Sequence, residues 1–318
     1  MSLAVGVDLG GTHLRAALVE TSAERPTPLH EERLPTGEDR VPERVADLIA
    51  SAVGRVCTRA EGPVAGVGIG IAAMLRGQSG VVANAPNLGW REVDFRSLVR
   101  ARLGQRVELY NDLKAIAWGE HRYGAGKGAP NVVCVYFGTG IGGGIVVGGE
   151  LYYGAGNLAG EIGHTKVVTG GAARLCGCGQ HGCIEAYAGG ANLAARVRAE
   201  LAAGAQSQAL AFAGGEVAKV HPGHVDQAAR AGDPYARRLW TEIAPLIGMA
   251  LANACTLFNP NRLILGGGMW EGTPELRRLS EATLPELINA PTQETLTVCE
   301  TSLGDLAGML GAADLISR

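Results

Sequence analysis

The feature that most constrains this chain is a strand, glycine turn and returning strand that occurs twice. Leu3-Ala4-Val5-Gly6-Val7-Asp8 reads as a buried strand, Gly10-Gly11-Thr12 as its turn, and Leu14 to Val19 as the strand coming back. The unit restarts at Asn131 to Phe137, which runs into Gly138-Thr139-Gly140-Ile141-Gly142-Gly143-Gly144 before Ile145 to Val147 returns. After the first copy come helical apolar spacing from Glu43 to Arg59, a strand from Val64 to Ile71, a helix from Phe95 to Leu103 and a strand from Val107 to Tyr110. The second copy is followed by a cysteine-rich loop, helices over Asn192 to Leu201 and Pro234 to Phe258, a strand from Arg262 to Leu265, and a last helical stretch from Gly304 to Ile316. At 318 residues, 47% of them hydrophobic, the chain can bury two cores. The expectation is a two-lobed α/β protein. Residues 1–111 form a small lobe, 112–303 a large one, with a hinge near Asp112 and the C-terminal helix, about 304–318, packing back on the first lobe.

The two glycine turns are candidates for holding phosphate. Glycines let backbone N–H groups line an anion, Thr12 adds a hydroxyl donor, and Asp8 could hold a hydrated Mg²⁺ against a triphosphate. Taken alone, Asp8-Leu9-Gly10-Gly11-Thr12 also reads as an ordinary hairpin turn. The second turn fits G-x-G-x-x-G, with Glu161 near the spacing of a ribose-binding acid, but the dinucleotide reading fails. That fingerprint must open a helix, and here Ile145-Val146-Val147 is a β-branched strand. No G-x-x-x-x-G-K-[ST] occurs either, so phosphoryl transfer would rest on backbone donors and Mg²⁺.

Asn111-Asp112 sits between an apolar strand and a helix. By itself the pair reads first as a turn and helix cap, and second as a place for a general base. Stronger is His164 followed by Cys176-Gly177-Cys178-Gly179-Gln180-His181-Gly182-Cys183. One imidazole and three thiolates make the four tetrahedral ligands of a structural zinc site, with no position left open for a catalytic water. The expected ligands are His164, Cys176, Cys178 and Cys183; His181 is a rival, cramped by its closeness to Cys183. Glu161 and Glu185 bracket this loop, 164–183, and their carboxylates could accept hydroxyls of a polyol.

Composition removes other classes. A formal charge of −3 without a basic run offers nothing to nucleic acid. Apolar stretches look short and broken, and no basic leader precedes the first strand, so neither membrane nor export is expected and the location is cytoplasmic. Seven cysteines, three of them clustered, do not make a disulfide framework.

Read together, Asp8-Leu9-Gly10-Gly11-Thr12, Asn111-Asp112, Gly138-Thr139-Gly140-Ile141-Gly142-Gly143, Glu161-Ile162-Gly163-His164, Cys176-Gly177-Cys178, Gly182-Cys183-Ile184-Glu185 and Leu265-Gly266-Gly267-Gly268 resemble the ROK family. The resemblance spans nearly the whole chain and implies the ribonuclease H-like fold of actin-like ATPases, with a central cleft. It implies ATP-dependent phosphorylation of a hexose, with Mg²⁺ as cofactor and a structural Zn²⁺. By the same resemblance Asp112 is the base, and Asn111, Glu161, His164 and Glu185 contact sugar hydroxyls, His164 serving metal and sugar through different nitrogens. Asn87, in Asn84-Ala85-Pro86-Asn87-Leu88-Gly89-Trp90, resembles a segment near the sugar in the family's glucose kinases, which puts glucose ahead of N-acetylglucosamine and mannose. Asp8, Gly10, Gly11, Thr12, Gly138, Thr139, Gly140, Gly266 and Gly267 would surround the nucleotide, with ATP expected before polyphosphate as donor. The family also contains sugar-sensing repressors, which carry a helix-turn-helix ahead of the core; with Asp8 so near the start, that reading is disfavoured. A two-fold homodimer is the expected assembly.

Overall fold

The computed structural model describes residues 2–318, which form two compact units. In chain order the elements begin with β1 (Leu3–Leu9), β2 (His13–Glu20), β3 (Pro28–Pro35), α1 (Pro42–Cys57), β4 (Val64–Ile71), β5 (Met74–Leu75), β6 (Val81–Ala85), β7 (Trp90–Asp94), α2 (Phe95–Leu103), β8 (Val107–Asn111) and α3 (Asp112–Tyr123). Next come β9 (Val132–Phe137), β10 (Ile141–Val147), β11 (Glu150–Leu151), α4 (Glu185–Ala188), α5 (Gly190–Ala202), α6 (Ala209–Phe212), α7 (Pro222–Arg230) and α8 (Pro234–Phe258). The chain closes with β12 (Arg262–Gly266), α9 (Gly268–Glu271), α10 (Pro274–Leu287), α11 (Ala290–Thr295), β13 (Thr297–Glu300) and α12 (Ala307–Ser317).

The first unit comprises 1–132, 144–160 and 301–318, the second 133–143 and 161–300. The first is built on the sheet β3-β2-β1-β4-β8, in which β1, β2 and β3 are antiparallel and β4 and β8 run parallel to β1. One face packs on α1 and α2 through Val5, Val7, Ile69 and Leu109, all buried. The other face is so close to α12 that a methyl group on Gly68 would lie 2.0 Å from the Ala312 carbonyl; only glycine allows this contact. The second sheet has the order β11-β10-β9-β12-β13. Counted from their own first strands, the two sheets have the same order, three consecutive strands and then two later ones, so the hairpin repeat in the sequence is a repeat of topology.

Two expectations need correction. The division does not fall after Asn111: α3 belongs to the first unit because it packs on α12 and β4, where Ala115 lies 3.5 Å from the position of a side chain on Gly70. Segment 144–160 joins that unit too, Gly144 lying against Ala117. The second returning strand starts at Ile141, not Ile145; Gly142 to Gly144 are strand, where glycine backbone stands close to its neighbours. Helix α8 has the bounds expected of it, Pro234–Phe258. Among the described residues it is the one helix long and apolar enough to cross a membrane, with a mean hydropathy of 1.4, yet half of that stretch is buried and the helix packs on α7 and α10.

Candidate functional site

In the first unit the candidate residues gather at the carboxyl edge of β1, β4 and β8. These strands are parallel and in register, Leu9 beside Ile71 and Ile71 beside Asn111, so the turn after β1 and the turn into α3 open on the same edge, the usual side for ligands in such sheets. The Gly10 N–H donates to the His13 carbonyl at 3.0 Å, closing the turn. Thr36, for which the sequence offered no motif, braces it: its hydroxyl donates to the Gly10 carbonyl at 2.9 Å and its N–H to the Thr12 carbonyl at 2.9 Å. Asn87 packs over Gly11, the side chain within about van der Waals distance of where a Cβ would stand. Its own carbonyl accepts from Arg40 at 2.5 Å.

Asp8 is largely buried, close to Gly308 in the first turn of α12, and burial pushes its carboxyl above the usual range. The nearest cation across the hairpin, Arg15, pairs with Asp305 at 2.8 Å. Asn111 fulfils the capping role read from the sequence: Oδ1 accepts from the Lys114 N–H at 3.2 Å, while Nδ2 donates to the Ala73 carbonyl at 3.3 Å. The cap starts the helix at Asp112, whose carboxylate therefore sits in the first turn, where the helix dipole favours an anion.

In the second unit the glycine turn, Glu185 and the cysteine loop meet. The turn runs straight into strand β10 and opens no helix, in agreement with the rejection of a dinucleotide fingerprint. The N–H groups of Gly190 and Ala191, at the start of α5, donate to the carbonyls of Gly138 and Thr139 at 3.0 and 2.9 Å. Gly267, after β12, backs onto the Phe137 carbonyl, bringing the Gly266-Gly267 pair beside the turn. Glu185 Oε2 accepts the Ile141 N–H at 2.8 Å, and its Oε1 lies 3.8 Å from Cys176 Sγ. A methyl on Gly140 would stand 2.5 Å from Glu185 Oε2, so a glycine is required there for the carboxylate to reach the turn.

The four residues expected as metal ligands lie together. His164 Nδ1 and the sulfurs of Cys176, Cys178 and Cys183 lie within 4.8 Å of one another, with Cys178 to Cys183 at 3.7 Å and Cys176 to His164 at 3.8 Å. A tetrahedron with metal–sulfur bonds of about 2.3 Å has edges of about 3.8 Å, so the donor types and their separations fit zinc. His181 is exposed and paired through its backbone with Leu175, outside this group. The other ring nitrogen of His164 faces Glu161 Oε2 at 3.9 Å, which leaves Nδ1 to the sulfurs and Nε2 to the carboxylate. Burial pushes the Cys176 thiol up to about 12, whereas the Gln180 N–H helps to lower Cys178; several thiolates at this spacing need a cation. Lys166, missed in the sequence, supplies one from the rim, its ammonium 2.8 Å from Cys183 Sγ. A lysine beside His164 was the available signal.

The family model described as ROK family matches residues 4–318. The chain is 38% identical to a glucokinase of Streptomyces coelicolor over 318 residues, covering 99% of this chain and 98% of that protein. A crystal structure of a ROK family glucokinase from Streptomyces griseus, in complex with glucose and AMPPNP, is 35% identical with a TM-score of 0.78, covering 99% of both chains. A ROK hexokinase from Thermus thermophilus is 32% identical with a TM-score of 0.84, covering 98% of this chain and 97% of the other. The repeated sheet order and this likeness agree with the actin-like ATPase fold expected from the sequence.

Proposed function

The chain belongs to the ROK family, and from that membership we propose that it is a hexose kinase, a glucokinase that transfers the γ-phosphoryl group of ATP to the 6-hydroxyl of glucose. The observation that carries the reading is Asn111-Asp112 at the carboxyl end of β8, on the same edge as the Gly10-Gly11-Thr12 turn, in a chain alike over its full length to a glucokinase with glucose and an ATP analogue bound.

Asp112 acts as general base. Its carboxylate takes the proton of the 6-hydroxyl as that oxygen forms its bond to the γ-phosphorus and the bond to ADP breaks, a role worth about 10²–10⁴ in rate. Asn111, Asn87, Glu161, His164 and Glu185 orient the sugar by accepting and donating hydroxyl hydrogen bonds, His164 through Nε2. Asp8, Gly10, Gly11, Thr12, Gly138, Thr139, Gly140, Gly266 and Gly267 are the residues we assign to the nucleotide. Mg²⁺, for which Asp8 is the candidate holder, would neutralise charge on the triphosphate. His164, Cys176, Cys178 and Cys183 would hold Zn²⁺, which supplies a fixed geometry and no open coordination position. The free thiols suit a reducing compartment, which supports a cytoplasmic enzyme, and we propose that it works as a two-fold homodimer.

The test is phosphorylation by the purified protein of glucose, mannose, fructose and N-acetylglucosamine, with ATP or polyphosphate as donor and both products followed. Turnover highest with glucose and ATP is expected. A preference for N-acetylglucosamine overturns the substrate and leaves the chemistry; glucose binding without turnover overturns the kinase and favours a sensor.

A further inference from the structure

Within the first unit a cavity of 370 Å³, the size of a small-molecule site, lies on edge strand β8. Glu108, Leu109 and Tyr110 of that strand line it, and the next residue, Asn111, is not part of the lining. Across from them stand Tyr153 and Asn157.

Asn157 is the unexplained residue. It is only 7% exposed and holds a left-handed backbone at φ 61°. Its Nδ2 donates to the Gly77 carbonyl at 2.8 Å, which fixes the orientation of the amide: turned over, two oxygens would face each other. Oδ1 is then buried with no hydrogen-bond partner, an arrangement proteins rarely leave unused. Burial pushes the Tyr110 and Tyr153 phenols above their usual range, so they remain neutral hydroxyls, able both to donate and to accept. At the mouth the two arginines differ. Arg96 is committed, to Glu108 at 2.9 Å and to the carbonyls of Gln78 and Ser79 at 3.2 and 2.6 Å. Arg106 is exposed and spends one Nη on the Ile316 carbonyl at 3.0 Å, so the lining carries one positive charge more than Glu108 cancels.

A neutral interior of hydroxyls and one unpaired acceptor suits a polyol, and a guanidinium at the rim suits an anionic group. We propose that this cavity is a second binding site and that it takes a monosaccharide phosphate, a hydroxyl donating to Asn157 Oδ1 and the phosphate reaching Arg106. The site is connected to α3: the Asn157 carbonyl accepts from Lys114 Nζ at 3.0 Å, in the helical turn that begins at Asp112. The cavity carries this assignment by itself, without the kinase reading.

The experiment is equilibrium dialysis of labelled glucose 6-phosphate against the intact chain, Asn157→Gly and Arg106→Met, with unlabelled glucose as competitor. Glycine accepts the left-handed backbone and keeps the carbonyl that Lys114 uses, so the fold and the basal turnover should persist. Expected is a class of glucose 6-phosphate binding that Asn157→Gly and Arg106→Met each weaken at least tenfold and that glucose does not displace. Product held at the proposed catalytic residues would survive both changes and be displaced by glucose. Binding unchanged in both variants overturns the site, and glucose binding there as tightly as its phosphate overturns the ligand class. Should Asn157→Gly fail to fold, Tyr153→Phe, which removes one hydroxyl and no volume, must weaken the same binding.

Discussion

Asp112 opens α3, its carboxylate in the first turn, where the helix dipole favours an anion. A base must be ionised before it can accept a proton, so Asp112→Asn, which keeps the shape and the cap at Asn111, should bind glucose as before while kcat falls about 10²–10⁴-fold. Glucose binding by calorimetry beside steady-state turnover checks this, and a kcat within a few-fold of wild type would reassign the base. Gly140 permits a different test. Its missing Cβ leaves 2.5 Å to Glu185 Oε2, the atom that accepts the Ile141 N–H. In Gly140→Ala the carboxylate must swing away and lose a charged hydrogen bond worth about 1.5–3 kcal/mol. If Glu185 orients the sugar, KM for glucose should rise roughly tenfold or more; an unchanged KM would remove Glu185 from the pocket. Both residues were visible in the sequence as motif positions. Thr36 and Asn157 were not, because what marks them is a partner far along the chain, Gly10 in one case and Gly77 in the other.

At the scale of elements, periodicity revealed what is buried on one face and failed where exposure hides it. The helices α1, α2 and α8 and the strands β1, β4 and β9 carry apolar patterns that match their burial. Strand β3, in contrast, is an edge strand of Pro, His, Glu and Arg with no apolar stripe, and β5 to β7 are short strands of a small separate sheet. The link between α5 and α8 is likewise a matter of side chains. Arg196 on α5 grips Glu242 on α8 through two bonds of 2.7 and 2.6 Å, and that hydrogen bonding and charge hold the Glu242 carboxyl below its usual range. The folded chain therefore binds this proton less readily than the unfolded one. The stabilisation is present above the unfolded value of about 4.3 and is lost as pH falls through the folded one. Glu242→Gln should lower Tm at pH 7, with the gap narrowing as the pH is taken below the unfolded value; a gap constant with pH would show that charge is not its source. The cysteine loop is the second such element. Cys178→Ser should leave the protein without the one zinc per chain expected by elemental analysis, and glucose affinity should fall with it, because Glu185 and His164 are placed by the same cluster. Full glucose affinity in the zinc-free variant would separate the metal from the pocket.

For the whole molecule, the division into units was the part least legible in the sequence. The boundary expected after Asn111 assumed that each hairpin and the elements after it form one body, whereas the chain passes between the units four times, near residues 132, 143, 160 and 300. Units assembled from distant segments need pins where a segment rejoins, and Glu120 is one. It is fully buried at the end of α3 and accepts from the N–H groups of Ser302 and Leu303 at 2.9 Å, the Ser302 hydroxyl at 3.1 Å, the Thr301 hydroxyl, and the Ala125 N–H at 2.9 Å. These donors lead the C-terminal segment back to α12, which completes the first unit's core against β1, β4 and α3. Glu120→Ala leaves several backbone donors without an acceptor, each costing about 1–3 kcal/mol where water does not reach. Urea unfolding should therefore shift to a lower midpoint by the equivalent of at least ~2 kcal/mol, and amides of α12 should lose protection from hydrogen exchange before those of α8. Glu216→Ala, at an exposed ion pair with Lys219, should shift the midpoint little. If both variants unfold alike and α12 stays protected, the return of the chain is secured by the packing of α12 alone, and Glu120 is only its neighbour.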